Sequence, residues 1–200
     1  MHSLKSLLVS VLFLVVATSA QAITFKVDEL NSSVTLTNTA TGFVCGLTNC
    51  GVSAELADGI GDTMFNLNNE GETNTFDFLT FTGSGTGVAI YDIVATLTFN
   101  PPNISTTSGG SGGALLFFGS IVGAVLTWDD VPALLVLNDG SEVSVDFEGG
   151  LGLFLGNSVT TSASVTLEKV APVPLPASAL MLLLGLGGLA GVSRLKKKAA

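Results

Sequence analysis

Three kinds of side chain in this 200-residue sequence have the means to do chemistry: two cysteines, sixteen carboxylates and one histidine. The histidine is His2, so nowhere else does the chain carry the side chain that most often serves as general base or activates a serine or cysteine nucleophile. Triads of the Ser-His-Asp or Cys-His kind are therefore excluded by inventory. A glycosidase-like pair of carboxylates needs only two acids in a cleft, and a carboxylate-based hydrolase stands as a third-ranked reading, but no spacing among the sixteen selects a pair. One tryptophan, Trp128, and one tyrosine, Tyr91, leave few aromatic platforms for gripping sugar rings. The chain is read as not being an enzyme.

The cysteines stand in Cys45-Gly46-Leu47-Thr48-Asn49-Cys50. In an oxidising compartment this spacing reads as a disulfide closing a tight loop, whereas two thiols without histidine supply only half a zinc shell. The carboxylates suggest calcium at turns: Asp129 with Asp130, Asp139 with Glu142 across Gly140-Ser141, and Asp58 with Asp62. Neither an EF-hand loop nor a Gly-Gly-x-Gly-x-Asp repeat is present, so solvated turn carboxylates are the plainer reading and no cofactor is expected. Gly83-Ser84-Gly85-Thr86-Gly87 has no following lysine and no following helix, which makes it a hairpin turn rather than a phosphate loop.

The ends of the chain say where these residues work. Lys5 precedes an apolar run from Leu7 to Ala17, interrupted only by Ser10, and Ala20-Gln21-Ala22 follows. This is the layout of a secretory signal peptide over 1–22, with Ala20 and Ala22 at the cleavage site for signal peptidase. The apolar run is too short to cross a bilayer core of roughly 30 Å. An exported chain meets oxidising conditions, which favours the disulfide for Cys45 and Cys50.

Residues 171–200 divide into three parts. Pro172, Pro174 and Pro176 fix φ at every second residue and force an extended segment over 172–177. An apolar, glycine-spotted stretch over 177–193 reads as one short transmembrane helix, and Arg194, Lys196, Lys197 and Lys198 form a basic stop over 194–198 that stays in the cytoplasm. Val173-Pro174-Leu175-Pro176-Ala177 followed by such a helix and a basic end resembles the Val-Pro-Leu-Pro-Ala variant (VPLPA-CTERM) of the PEP-CTERM sorting domains. It departs from the commonest form in having Leu175 where a glutamate usually lies. The resemblance covers only the tail. It implies recognition by an exosortase, a membrane enzyme that cleaves near the proline motif, and a role in the envelope, extracellular polysaccharide or biofilm.

Between the two ends, residues 23–170 hold all sixteen acids against Lys26 and Lys169, a formal charge of −14. Such a body repels nucleic acid, and that partner is set aside. It is nonetheless rich in Val, Leu, Ile and Phe, and their spacing alternates with period two. Phe25 and Val27, Val34 and Leu36, Val143 to Phe147, and Val165 and Leu167 each face away from polar neighbours. Tyr91 to Phe99 makes a longer strand that ends before Pro101-Pro102, which cannot donate to a ladder. Ala114 to Trp128, apolar on both faces, is expected to be a central strand pair covered on both sides, and Asn103 to Gly113, ending in Ser-Gly-Gly-Ser-Gly-Gly, a flexible loop. Eight to ten strands in an all-β, antiparallel, jelly-roll-like sandwich are the resulting expectation, with turns at Asn138-Asp139-Gly140 and Asn69-Glu70-Gly71.

These readings together predict an exported surface or matrix protein of structural or adhesive role, membrane-anchored with its body in the periplasm until an exosortase-like enzyme releases it to the cell surface or beyond. The alternative is a cation-dependent carbohydrate-binding module.

Overall fold

The computed structural model describes residues 22–41, 43–152, 156–172 and 185. A compact body spans Gln21–Ala171. Its elements in chain order are β1 (Ile23–Lys26), β2 (Ser33–Thr41), a six-residue helix α1 (Phe43–Thr48), β3 (Gly51–Leu56), β4 (Met64–Leu67), β5 (Thr73–Ser84), β6 (Gly87–Phe99), β7 (Ile104–Phe117), β8 (Ser120–Trp128), β9 (Ala133–Val136), β10 (Glu142–Phe147), β11 (Gly150–Gly152) and β12 (Ser158–Lys169). Short 3-10 turns at Glu29–Asn31 and Ile60–Asp62 join the first strands. The strands form one five-stranded sheet in the order β3-β5-β12-β10-β9, a second in the order β11-β8-β7-β6-β2, and a two-stranded ribbon of β1 and β4. Every pairing is antiparallel.

The period-two pattern explains the core. Tyr91, Ile93, Ala95, Leu97 and Phe99 of β6 point inward, opposite Val143, Val145 and Phe147 of β10 and Ala163, Val165 and Leu167 of β12, and all are buried. Each fully buried Val, Leu or Phe side chain contributes about 1.5–3 kcal/mol, so these three strands alone commit the two sheets to face each other. Aromatic rings bridge them: Trp128 of β8 meets Phe147 edge-on at 5.2 Å, and its indole N–H donates to the Glu148 carbonyl at 3.1 Å. At one end Phe25 stacks on Phe65 at 5.2 Å and meets Phe99 edge-on at 5.5 Å, which fastens the β1–β4 ribbon to the core. β6 ends at Phe99, one residue short of the prolines, and Gly71 and Gly140 take the positive φ values that the turns at 69–71 and 138–140 require.

Four expectations are corrected. The stretch from Asn103 to Gly113 is not a flexible loop: most of it is β7, paired along its length with β6 on one side and with β8 on the other. Thr106, Ser108, Gly110, Ala114 and Leu116 alternate inward and are buried, so the inner side chains are small rather than absent in pattern. The glycines serve close approach: a Cβ on Gly112 would lie 2.5 Å from the Tyr91 ring and 2.5 Å from the Val125 carbonyl. Second, Ala114 to Trp128 is indeed a hairpin of β7 and β8, but only one face is covered. Val88, Leu115, Phe117 and Val125 lie exposed on the other. Third, the described residues hold twelve strands rather than eight to ten. Fourth, β6, β7 and β8 are successive neighbours in one sheet, a meander, whereas a jelly roll is built from two Greek keys.

The transmembrane helix expected over 177–193 lies outside the described residues, except for Gly185, which is helical. Among the described residues no helix is long and apolar enough to cross a membrane.

Candidate functional site

One end of the body is built around Cys45 and Cys50, which are joined in a disulfide with Cα atoms 4.7 Å apart and are both buried. The bond ties α1 to the residue before β3, and the β5–β6 turn lies close against both cysteines. Gly85 takes a left-handed φ of +68°, and a Cβ there would lie 2.6 Å from the Thr48 carbonyl. The Thr48 hydroxyl donates to the Thr86 carbonyl at 2.8 Å and accepts from the Thr86 amide at 3.1 Å. The Thr86 hydroxyl in turn accepts the Phe118 amide at 3.0 Å, and Gly119 N–H donates to the Gly85 carbonyl at 2.7 Å. Gly83–Gly87 is not the hairpin turn expected of it, because β5 and β6 belong to different sheets and the chain crosses between them there. Helix, disulfide, this crossing turn and the β7–β8 hairpin turn thus form one hydrogen-bonded corner.

The carboxylates named for calcium lie in turns and at strand ends. Asp139 accepts the Ser141 amide at 2.9 Å and its hydroxyl at 3.0 Å, a local turn. Glu142 pairs with Lys169 at 2.8 Å, which raises the lysine's pKa above its ordinary value. Asp129 lies beside Gly109, and the Asp130 amide donates to Ser108 at 3.4 Å. Asp62 closes the 3-10 turn after Asp58. Among the described residues no group of three His, Cys, Asp or Glu stands together in a way that would hold a metal ion. Glu72 is occupied in its own turn, where the backbone amides of Asn68 and Asn69 donate to it at 2.6 and 3.1 Å and hold its pKa below the usual glutamate value.

Two features escaped the sequence reading. A cavity of about 130 Å³ lies between the sheets, lined by Val52, Phe81, Tyr91, Ile121, Leu126, Val159 and others, with Glu148 among them. Its titratable groups are already engaged: the Tyr91 hydroxyl donates to the Val125 carbonyl at 3.3 Å, with burial pushing its pKa up to about 12, and Glu148 accepts the Ser162 amide at 2.8 Å. The cavity offers no acid and base facing one another. The second feature is a hydroxyl ladder between β5 and β12, where Thr73 meets Thr166 at 2.8 Å, Thr75 meets Ser164 at 2.9 Å and Thr80 meets Thr160 at 3.2 Å. Its signal was present in the alternating threonines and serines of 73–82 and 158–166, but the pairing of strands so distant in sequence was not.

Residues 172–198 match the PEP-CTERM protein-sorting motif. A PEP-CTERM tail marks an exported protein addressed to an exosortase-like enzyme. The match contains Val173, Pro174, Leu175, Pro176 and Ala177 and the basic Arg194, Lys196, Lys197 and Lys198, all of which lie outside the described residues, as does Ala20. Ala22 is the first described residue, one before β1. No curated protein and no solved structure matches the chain.

Proposed function

We propose that this PEP-CTERM protein is a non-enzymatic structural or adhesive component of the cell surface or extracellular matrix, delivered by secretion and released from its membrane tail by an exosortase-like enzyme. The observation that carries this reading is the sorting-motif match at 172–198. Three others support it. A leader-like segment over 1–22 precedes the body, so both ends of the chain agree on export. The only histidine lies in that leader, and Asp139, Glu148 and Glu142 of the body are engaged in a turn, a strand contact and an ion pair. A net charge of −14 and an outward hydroxyl ladder give the body a strongly hydrated surface, suited to a polysaccharide-rich setting and unsuited to nucleic acid. Before processing, the tail holds the protein in the inner membrane with the body in the periplasm. Intact mass and fractionation of the exported protein, with and without exosortase activity, test the proposal. Loss of the tail only when the enzyme is active is the expected result, and a protein that keeps every residue to Ala200 in a strain with active exosortase refutes it.

A further inference from the structure

We infer that the body associates with a second copy of itself through the disulfide corner, end to end. Charge is segregated along the fold. No charged residue occurs from Leu30 to Ala54, Phe78 to Tyr91, Ile104 to Trp128 or Gly149 to Leu167, and strand pairing brings the described residues 43–50, 85–86, 118–119 and 156–157 of these segments to the corner. The same corner exposes large apolar side chains: Phe118 is 81% exposed, Leu47 71%, Phe117 57% and Val44 53%. Val88 and Leu115 extend the patch onto the outer face of the β6–β7 pair. An exposed apolar surface of this kind marks a contact site. Its backbone is prepared for burial, because the amides of Cys50, Thr86, Phe118 and Gly119 all donate within the corner.

The charges decide the occupant. Both lysines of the body sit far from the corner: the Lys26 amide bonds to the Pro101 carbonyl beyond the far end of β6, and Lys169 pairs with Glu142. An anionic lipid surface is repelled by sixteen carboxylates and finds no basic residue beside the aromatics to hold it. A second copy presents an equally uncharged patch, and end-to-end contact is the arrangement that keeps the two sets of carboxylates farthest apart. A two-fold contact also makes the patch complementary to itself. β12 carries the chain from Ser158 at the corner to Lys169, about 37 Å away at ~3.4 Å per residue, so the body's last residues leave from the far end of each partner. The inference rests on the body alone and is independent of how the tail is processed.

Sedimentation velocity of the exported protein over about 1–300 μM, the range in which small interfaces associate, is the test. A monomer–dimer equilibrium is expected, weakened at least about tenfold, ~1.4 kcal/mol, by Phe118→Ser and likewise by Leu47→Ser. Both side chains are exposed, so the melting temperatures of these variants stay close to that of the parent. Leu30→Ser, at a residue 96% exposed beside Asp28 and Glu29, leaves association unchanged. A protein that stays monomeric throughout, or a dimer weakened as much by Leu30→Ser, overturns the inference. So does a monomer whose binding to phosphatidylcholine vesicles is lost with Phe118→Ser, which assigns the corner to lipid.

Discussion

Gly112 and Gly113 are neighbours in β7 with opposite surroundings, and replacing each by alanine separates a packed strand from a polar loop. A Cβ on Gly112 meets Cζ of Tyr91 at 2.5 Å, the Val125 carbonyl oxygen at 2.5 Å and the Tyr91 hydroxyl at 2.6 Å. Backbone cannot yield as a flexible side chain can, so the Tyr91 ring must move off its strand partner. Overpacking of this kind costs about 1–3 kcal/mol. Moving the ring also breaks the 3.3 Å hydrogen bond from the Tyr91 hydroxyl to the Val125 carbonyl, worth about another 1 kcal/mol. The sum, about 2–4 kcal/mol, corresponds to roughly 4–16 °C in melting temperature for a domain of this size. A Cβ on Gly113 points to the open face and has only the Ala89 carbonyl at 3.6 Å and Val125 Cγ1 at 3.9 Å, ordinary contacts. Gly113→Ala is therefore neutral or stabilising by up to about 1 kcal/mol through the unfolded chain. Thermal unfolding followed by circular dichroism reads both. If Gly112→Ala melts with the parent, or the two variants fall together, β7 does not pack as argued.

The chain's single tyrosine gives an unambiguous titration. Burial raises the folded pKa of Tyr91 to about 12, above its unfolded value near 10. Stability linked to the neutral phenol is thus fully present below pH ~10 and is lost as pH rises toward about 12. Absorbance at the phenolate band should show a midpoint near 12 while the far-ultraviolet spectrum stays native, and a native midpoint near 10 would contradict the packing. Replacing both Cys45 and Cys50 by serine opens the short loop between them and should cost about 2 kcal/mol, seen as a melting temperature lower by roughly 4–8 °C. An unchanged melt would mean the corner is held without the bond.

Strands with one strongly apolar face were readable in the sequence because a period of two needs no knowledge of partners. β6, β10 and β12 follow from Tyr91 to Phe99, Val143 to Phe147, and Val165 with Leu167 alone. β7 was not readable, because its inward positions hold Thr106, Ser108 and Gly110, whose smallness makes sense only once Tyr91 and Trp128 are placed beside them. The open outer face of β7 and β8 was hidden for the converse reason. Apolar residues at both parities, such as Leu115 and Leu116, look identical in sequence whether one face or two are covered. At the functional end the balance reverses: the sorting tail is legible as a motif of proline, apolar and basic segments that requires no fold at all.

The boundary between body and tail yields a last prediction. β12 remains paired through Lys169, and two further backbone contacts follow: Val170 N–H donates to Glu70 at 3.2 Å and Ala171 N–H donates to the Ser141 hydroxyl at 3.0 Å. The matched sorting motif begins at the next residue, Pro172. A substrate whose processed segment contributed to its core would unfold on release, so a sorting tail and a stable body require such a division of contacts. Ending the chain after Ala171 should leave the melting temperature within about 2 °C of the protein with its tail, since every core side chain among the described residues is kept. Ending it after Thr166 removes Leu167, which is fully buried, and with it the Glu142–Lys169 pair. Loss of a buried leucine with its cavity costs about 2–5 kcal/mol, and the facing end of β10 is left without its partner. A melt as high for the Thr166 truncation as for the Ala171 truncation would show that the last residues of β12 belong to the tail, and would place the end of the folded body before Leu167.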